Sequence, residues 1–239
     1  MTTKIFIGTS PNSYDLEIEM IYEYSLRKHS TTELEINWMK LNNDSNDFWG
    51  NWKTNKWFTP FSGFRWGIPE FCDFSGRVIY TDVDMINLRD ISELVEIDMQ
   101  GKPFAARKGS RWGYELCVMV IDCERAKNYL WDIKKLKSNL DSHNFHRNMI
   151  SESELVHEID SRWNCLDGED RHLDDIYQLH FTNMSTQPWR PYWYKGEKKI
   201  HPRKDLLNLY DQLKKEAQGS KRPLGSGESP EFINFEISL

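Results

Sequence analysis

The stretch GRVIYTDVDMINLRDI (76–91) runs apolar through Val78–Tyr80, then sets two aspartates, Asp82 and Asp84, one residue apart before the apolar pattern resumes. A short apolar run bounded by polar residues reads as a buried strand, and few architectures end such a strand in two like charges. Roughly one Asp-x-Asp triplet is expected by chance in a chain this acidic, so the triplet gains meaning only from its place. If RVIYTD is a strand of an open α/β sheet, its carboxyl end is where such sheets seat ligands. Two carboxylates there repel unless a cation lies between them, and hard divalent cations take oxygen ligands.

The rest of the chain can supply that sheet. Its 239 residues suit one α/β domain with a full core, or one domain and a small appendage. The longest strictly apolar runs, such as VMVI (118–121), are far too short to span a bilayer. The opening MTTKIFIG has neither the basic region nor the long apolar core of a signal peptide and reads at once as a strand. Cys72, Cys117, Cys123 and Cys165 form no C-x-x-C pair, which argues against a zinc site, and their sparse placement suggests reduced, mostly buried thiols and a cytoplasmic location. A net charge of −6 argues against nucleic-acid binding. The 10 Trp, 10 Tyr and 12 Phe could stack on sugars or bases, but most are expected in the core.

KIFIGTS (4–10) reads as a first strand and 14–28 as a helix whose buried face carries Ile18, Ile21, Tyr22, Ser25 and Leu26, with Glu17, Glu19 and Glu23 off it. LEINWMKL (34–41) reads as a second strand, and such a β-α-β opening gives parallel strands. Residues 42–60 read as a loop, and FSGFRWGIPEFCDF as helical up to a break at Pro69. ISELVEI is a short helix capped by Asp90 or Ser92; PFAAR and GYELCVMVIDC are strands, the second central. ERAKNYLWDIKKLKSNL reads as one amphipathic helix, and 141–160 as polar and helical. Two short strands, RWNCLD and YQLHFTN, and a last helix, KDLLNLYDQLKKEAQ, follow. A single domain over 1–218 with a flexible tail over 219–239 is expected.

With FRWGIPEF, GRVIYTDVDMINLRDISEL and the late QLHFTNMSTQPWRPY (178–192) in order, the chain from Lys4 to about Trp193 resembles a GT-A-fold glycosyltransferase of the family 8 type, the group that includes glycogenin and lipopolysaccharide galactosyltransferases. That resemblance implies a Rossmann-like α/β fold, with a mainly parallel central sheet flanked by helices, and a retaining hexosyltransferase using a nucleotide-sugar, typically a UDP-sugar. Asp82 and Asp84 match the family's DxD, which binds Mn²⁺ (Mg²⁺ being the alternative) and through it the donor diphosphate; His180 matches the third metal ligand. Arg65 matches an arginine that helps hold the nucleotide, against the simpler reading of a surface ion pair. Thr9, Ser10 and Tyr14 fall where the family binds the base, the tyrosine ring stacking on it, although GTSPNSY lacks the aspartate the family often carries there.

Other positions depart from the pattern. Glu115 stands where the family has a donor-contacting asparagine, and Cys117 where it has a glycine. Gln187 replaces the lysine of the late H-x-x-G-x-x-K-P-W block, leaving Trp189 and Arg190 beside it as further donor-site candidates. The family's Asp-Gln pair is not recognisable, Asp141, Asn144 and Glu158 being only candidates for it; Glu115 is the first catalytic candidate and Asp141 the second.

The acceptor, saccharide, lipid-linked or protein, is left open. The basic-aromatic run 190–205 is either a solvated packing segment or a contact for an anionic acceptor or the inner membrane face. Two rival readings are a haloacid-dehalogenase-type phosphatase or phosphotransferase, whose apolar strand also ends in Asp-x-Asp, and a non-catalytic nucleotide-sugar-binding protein.

Overall fold

The structure, a computed structural model, describes residues 2–11, 15–109, 113–151, 153–189 and 194–227. Chain order is β1 (Thr2–Gly8), α1 (Leu16–His29), β2 (Glu33–Met39), α2 (Ile68–Phe71), β3 (Arg77–Asp82), β4 (Met85–Asn87), β5 (Phe104–Lys108), β6 (Tyr114–Asp122), α3 (Cys123–Ala126), α4 (Ile133–Ser138), α5 (Ser142–Ser151), β7 (Val156–Glu158), β8 (Cys165–Leu166), β9 (Gln178–His180) and α6 (Lys204–Gln218). The main sheet runs β2-β1-β3-β6-β5-β7. Its strands are parallel apart from β6, which is antiparallel to both neighbours. The amino end of β6 therefore shares an edge with the carboxyl ends of β1, β2 and β3.

A second, small sheet, β4-β9-β8, sits just past that edge. Met85 pairs with His180 across β4 and β9, and Leu166 with His180 across β8 and β9. The amide of Phe181 donates to the Asp84 carbonyl at 2.9 Å, so this ladder holds His180 against the Asp82–Asp84 turn.

One face of the main sheet is covered by α1, α6 and the small sheet, with Ile18, Ile21, Tyr22 and Leu26 in that core. The expected polar side of α1 is only partly solvated: Glu19 and Glu23 are buried. Glu19 accepts from Thr9 Oγ1 (2.6 Å) and from Ser226 N (3.1 Å), and pairs with Lys40 at 3.3 Å. Glu23 accepts from Gly225 N at 2.8 Å. A buried carboxylate is tolerable only with such partners. Gly225 and Ser226, early in the expected tail, are thus hydrogen-bonded to α1, and residues beyond 227 lie outside the described ones.

The opposite face has an unusual cover. The loop 42–60 and the turn after it place Trp49, Trp52, Trp57, Phe64 and Trp66 in one aromatic core, with Trp49 stacked on Trp52 at 6.3 Å and Trp52 edge-on to Phe64 at 5.0 Å. Rings carry enough apolar area for a loop to share with helices such as α5, whose Ile150 joins the same cluster, the covering of a sheet face. Three expectations need correction here. Pro69 does not break its helix: it occupies the first turn of α2, where a missing N–H has no intrahelical partner to lose. The chain turns instead at Asp73 and Phe74, both at positive φ. ERAKNYLWDIKKLKSNL is not one helix, because Leu130 is extended and Asp132 caps a new start by accepting from the Lys135 amide. Only Ser142–Ser151 of the 141–160 stretch is helical, and the sheet edge takes Val156–Glu158.

Candidate active site

Asp82 ends β3 directly beside β6, since Thr81 pairs with Val118 in antiparallel register. Gly8 faces Asp82 from β1, and a Cβ there would stand 2.6 Å from the Phe61 ring and 3.0 Å from Tyr80 Oη. The close approach requires glycine. Asp82 Oδ1 accepts from Arg65 Nη2 at 3.1 Å and from the Tyr80 hydroxyl. Arg65 is buried, donates also to the Ser62 carbonyl (2.8 Å) and the Leu116 carbonyl, and lies 4.2 Å over the Tyr80 ring. The surface ion pair considered for Arg65 is therefore a buried one, aimed at the first aspartate of the motif. Burial raises the Asp82 carboxyl; Arg65 opposes that shift and Asp84 adds to it.

His180 Nδ1 meets Asn164 Oδ1 at 2.9 Å, which leaves Nε2 facing Asp84 Oδ1 at 3.4 Å. That Asp84 oxygen is buried and has no hydrogen-bond partner among the described residues. Burial works to lower the His180 imidazole, but Asp84, with Asp82 and Asp167 behind it, raises it overall. An imidazole nitrogen facing two carboxylates takes up either a proton or a cation. One ligand atom each from Asp82, Cys117 and His180 lies within 4.8 Å of the others. An orphaned carboxylate oxygen, an oriented imidazole and a third and fourth donor fit a divalent cation. Asp82, Asp84 and His180 are thus brought together from β3, the turn after it and β9.

Cys117 is the member that sequence reasoning left out as a ligand. Its signal was present, a thiol where the resembled family has glycine. Asp15, directly after the GTSPNSY turn, was also missed, and only its burial in the structure marks it out. Burial, with Glu19 and Asp84 adding to it, pushes the Asp15 carboxyl up to about 6, against hydrogen bonds from Ser10. A carboxyl raised on folding stabilises the protein below its unfolded value and loses that contribution as pH rises through about 6. Asp15→Asn, measured by chemical denaturation in a chelator, should exceed the wild type by about 1 kcal/mol at pH 4.5 and by about 3 kcal/mol at pH 8. Equal stability at both pH values would refute it.

The remaining candidates divide. Thr9 directs its hydroxyl inward to Glu19, and the Ser10 amide donates to Asp15 Oδ2 at 3.3 Å, so both residues shape the turn after β1. Glu115 is half-buried at the amino end of β6, on the same edge as Asp82, with Arg107 as its cross-strand partner. A Cβ on Gly109 would lie 2.9 Å from Glu115 Cγ, so the glycine leaves that side chain its space. Gln187 donates to the Phe181 carbonyl at 2.9 Å, and Trp189 stacks on Tyr210 at 6.0 Å. Both are buried and brace the strand end that carries His180. Asp141 is not brought to the cluster: it is exposed and pairs with Lys56 at 3.0 Å. Tyr14 and Arg190 lie outside the described residues.

No family model and no curated protein matches the sequence. Solved structures do match its fold. WbbM, a bifunctional glycosyltransferase in its apo form, superposes with a TM-score of 0.64 at 11% identity, over 92% of this chain and 50% of its own. The glycosyltransferase GlyE of Streptococcus pneumoniae TIGR4 gives 0.62 at 16% identity, over 95% of this chain and 66% of its own. The galactosyltransferase LgtC, solved with donor and acceptor sugar analogues, gives 0.62 at 12% identity, over 90% of this chain and 96% of its own. The fold is that of the GT-A glycosyltransferases. The chain thus spans about half of WbbM and about two thirds of GlyE.

In this GT-A fold the expected mainly parallel sheet is present, and the Asp82–Asp84 turn lies at its carboxyl edge. All four cysteines are free thiols. Among the described residues no helix is long and apolar enough to cross a membrane.

Proposed function

We propose that the protein transfers a hexose from a UDP-sugar to an acceptor with retention at the anomeric carbon, using a divalent cation held by Asp82, Asp84 and His180. The observation that carries this reading is the convergence of those three side chains at the carboxyl edge of a GT-A sheet. The cation, Mn²⁺ by resemblance or Mg²⁺, supplies Lewis-acid stabilisation to a departing diphosphate. The chain's own residues do the rest. Arg65 and Tyr80 fix the Asp82 carboxylate in one orientation. Asn164 holds the His180 tautomer that leaves Nε2 free to coordinate. Tyr14 and the turn of Thr9 and Ser10 receive the base, with Arg65 behind the nucleotide and Arg190 on the donor side, while the buried Gln187 and Trp189 act only by bracing the strand end that carries His180. Glu115 is the carboxylate closest in role to the sugar: it accepts hydrogen bonds from hydroxyls or lies beside the reacting carbon. Asp141, in its exposed ion pair, is the weaker candidate.

The acceptor is a saccharide, lipid-linked or protein group. It or a membrane surface approaches past residues 195–200, all exposed, where Ile200 is 82% exposed beside Lys198 and Lys199. The structural likenesses give no support to the phosphotransferase alternative.

The deciding experiment is release of UDP from UDP-glucose and UDP-galactose, with Mn²⁺, with Mg²⁺ and with chelator. Metal-dependent release is expected. Binding of UDP without release under any condition would favour a non-catalytic binder, and no binding at all would refute both. Calorimetry on two variants divides the roles further. Tyr14→Ala should weaken UDP and the UDP-sugars by one common factor, as loss of base stacking would, whereas Glu115→Gln should alter turnover and sugar preference at nearly unchanged UDP affinity.

A further inference from the structure

The donor set at the carboxyl edge is not the all-oxygen-plus-imidazole set that an Asp-x-Asp site and a histidine supply. Cys117 lies beside Asp82 by the register of β3 and β6, and its sulfur falls within 4.8 Å of a carboxylate oxygen of Asp82 and a ring nitrogen of His180. We propose that Cys117 Sγ is itself a ligand of the cation, so that the site prefers borderline, thiophilic ions such as Co²⁺ and Zn²⁺ over Mn²⁺ and Mg²⁺.

This inference rests on the metal-dependent reading above and specifies its metal. Three observations support it. Cys117 as a residue is half-buried at the amino end of β6, and its thiol is free of any disulfide. The groups around it are donors that a cation would satisfy: a His180 ring nitrogen and an Asp82 oxygen within 4.8 Å of the sulfur, and, 3.4 Å from His180 Nε2, the Asp84 oxygen that has no hydrogen bond among the described residues. The guanidinium of Arg65 donates to the carbonyl of Leu116, the residue before Cys117, and so sets a fixed positive charge beside an extra anionic ligand. Two carboxylates, an imidazole and a sulfur form a mixed N, O, S set, and sulfur ligands shift selectivity toward softer ions than carboxylates alone do. On coordination the S–H bond is replaced by a sulfur–metal bond, and the proton passes to solvent. The spacing argument from C-x-x-C pairs misses such a site because its ligands come from separate segments.

The test is titration of the metal-free full chain with Co²⁺, followed by absorption and calorimetry. The wild type should develop a near-ultraviolet sulfur-to-cobalt charge-transfer band at saturation. Cys117→Ser should lose that band while still binding Co²⁺, and its preference for Co²⁺ over Mn²⁺ should fall by about 10-fold or more. Cys117→Ala serves as the second variant should serine unfold the strand. Co²⁺ binding without the band, or a band that persists in both variants, overturns the proposal and leaves the metal-dependent reading standing. Absence of any divalent-cation binding by the wild type overturns both.

Discussion

Asp84→Ala is expected to reduce metal-dependent turnover by about 10³-fold or more, the several kcal/mol of charge stabilisation that a bound cation supplies, while the metal-free protein stays folded. Asp84 Oδ1 is buried without a hydrogen-bond partner, and its charge adds to the upward shift of both Asp82 and Asp15. Its removal relieves like-charge repulsion in a site that water cannot fully screen. The backbone carbonyl of Asp84, which accepts from Phe181, is unaffected by the substitution. The melting temperature in chelator should therefore hold or rise, whereas the rise produced by added metal should vanish. A large fall in the metal-free melting temperature would instead make the aspartate pair a structural device.

Arg65→Met should have the largest effect on stability, a loss of about 3–5 kcal/mol, as when one partner of a buried ion pair is removed. Arg65 is 4% exposed, and its guanidinium links the Ser62 carbonyl, the Leu116 carbonyl and Asp82. Methionine roughly fills the volume but leaves the Asp82 carboxylate with the Tyr80 hydroxyl alone. Asp82→Asn in the Arg65→Met background removes the stranded charge, so the double variant should be more stable than the sum of the single losses by about 1–3 kcal/mol. Additive losses would mean that Arg65 acts through the Ser62 and Leu116 carbonyls and not through Asp82. Urea denaturation of the four proteins at neutral pH, in chelator, measures the coupling directly.

Much of the architecture was legible in local pattern. The apolar runs of β1, β2, β3 and β6 and the 3.6-residue spacing of α1 and α6 name their own states, because side-chain periodicity reflects burial on one face. Failures came where a neighbour outweighed propensity. Asp132 prefers to cap a helix start rather than sit inside one, and Trp131 packs its ring on Phe145 at 4.5 Å, which divides a stretch that reads as continuous. The loop 42–60 has no periodicity, so nothing in it announced that its tryptophans form a core.

For the site, the sequence by itself determined that Asp82 and Asp84 end a buried strand and that His180 lies in another. Their one-residue separation and apolar flanks are local facts. Only the tertiary structure decided which side chains face one another. The antiparallel turn of β6 brings Cys117 and Glu115 to the edge where Asp82 ends, and the ladder of β4 and β9 presses His180 against Asp84. The same packing buries Arg65 against Asp82, draws Gln187 and Trp189 into the core and leaves Asp141 in solvent with Lys56. Register between strands far apart in the chain depends on long-range pairing and on which face is buried, and neither is encoded in the spacing of any one segment.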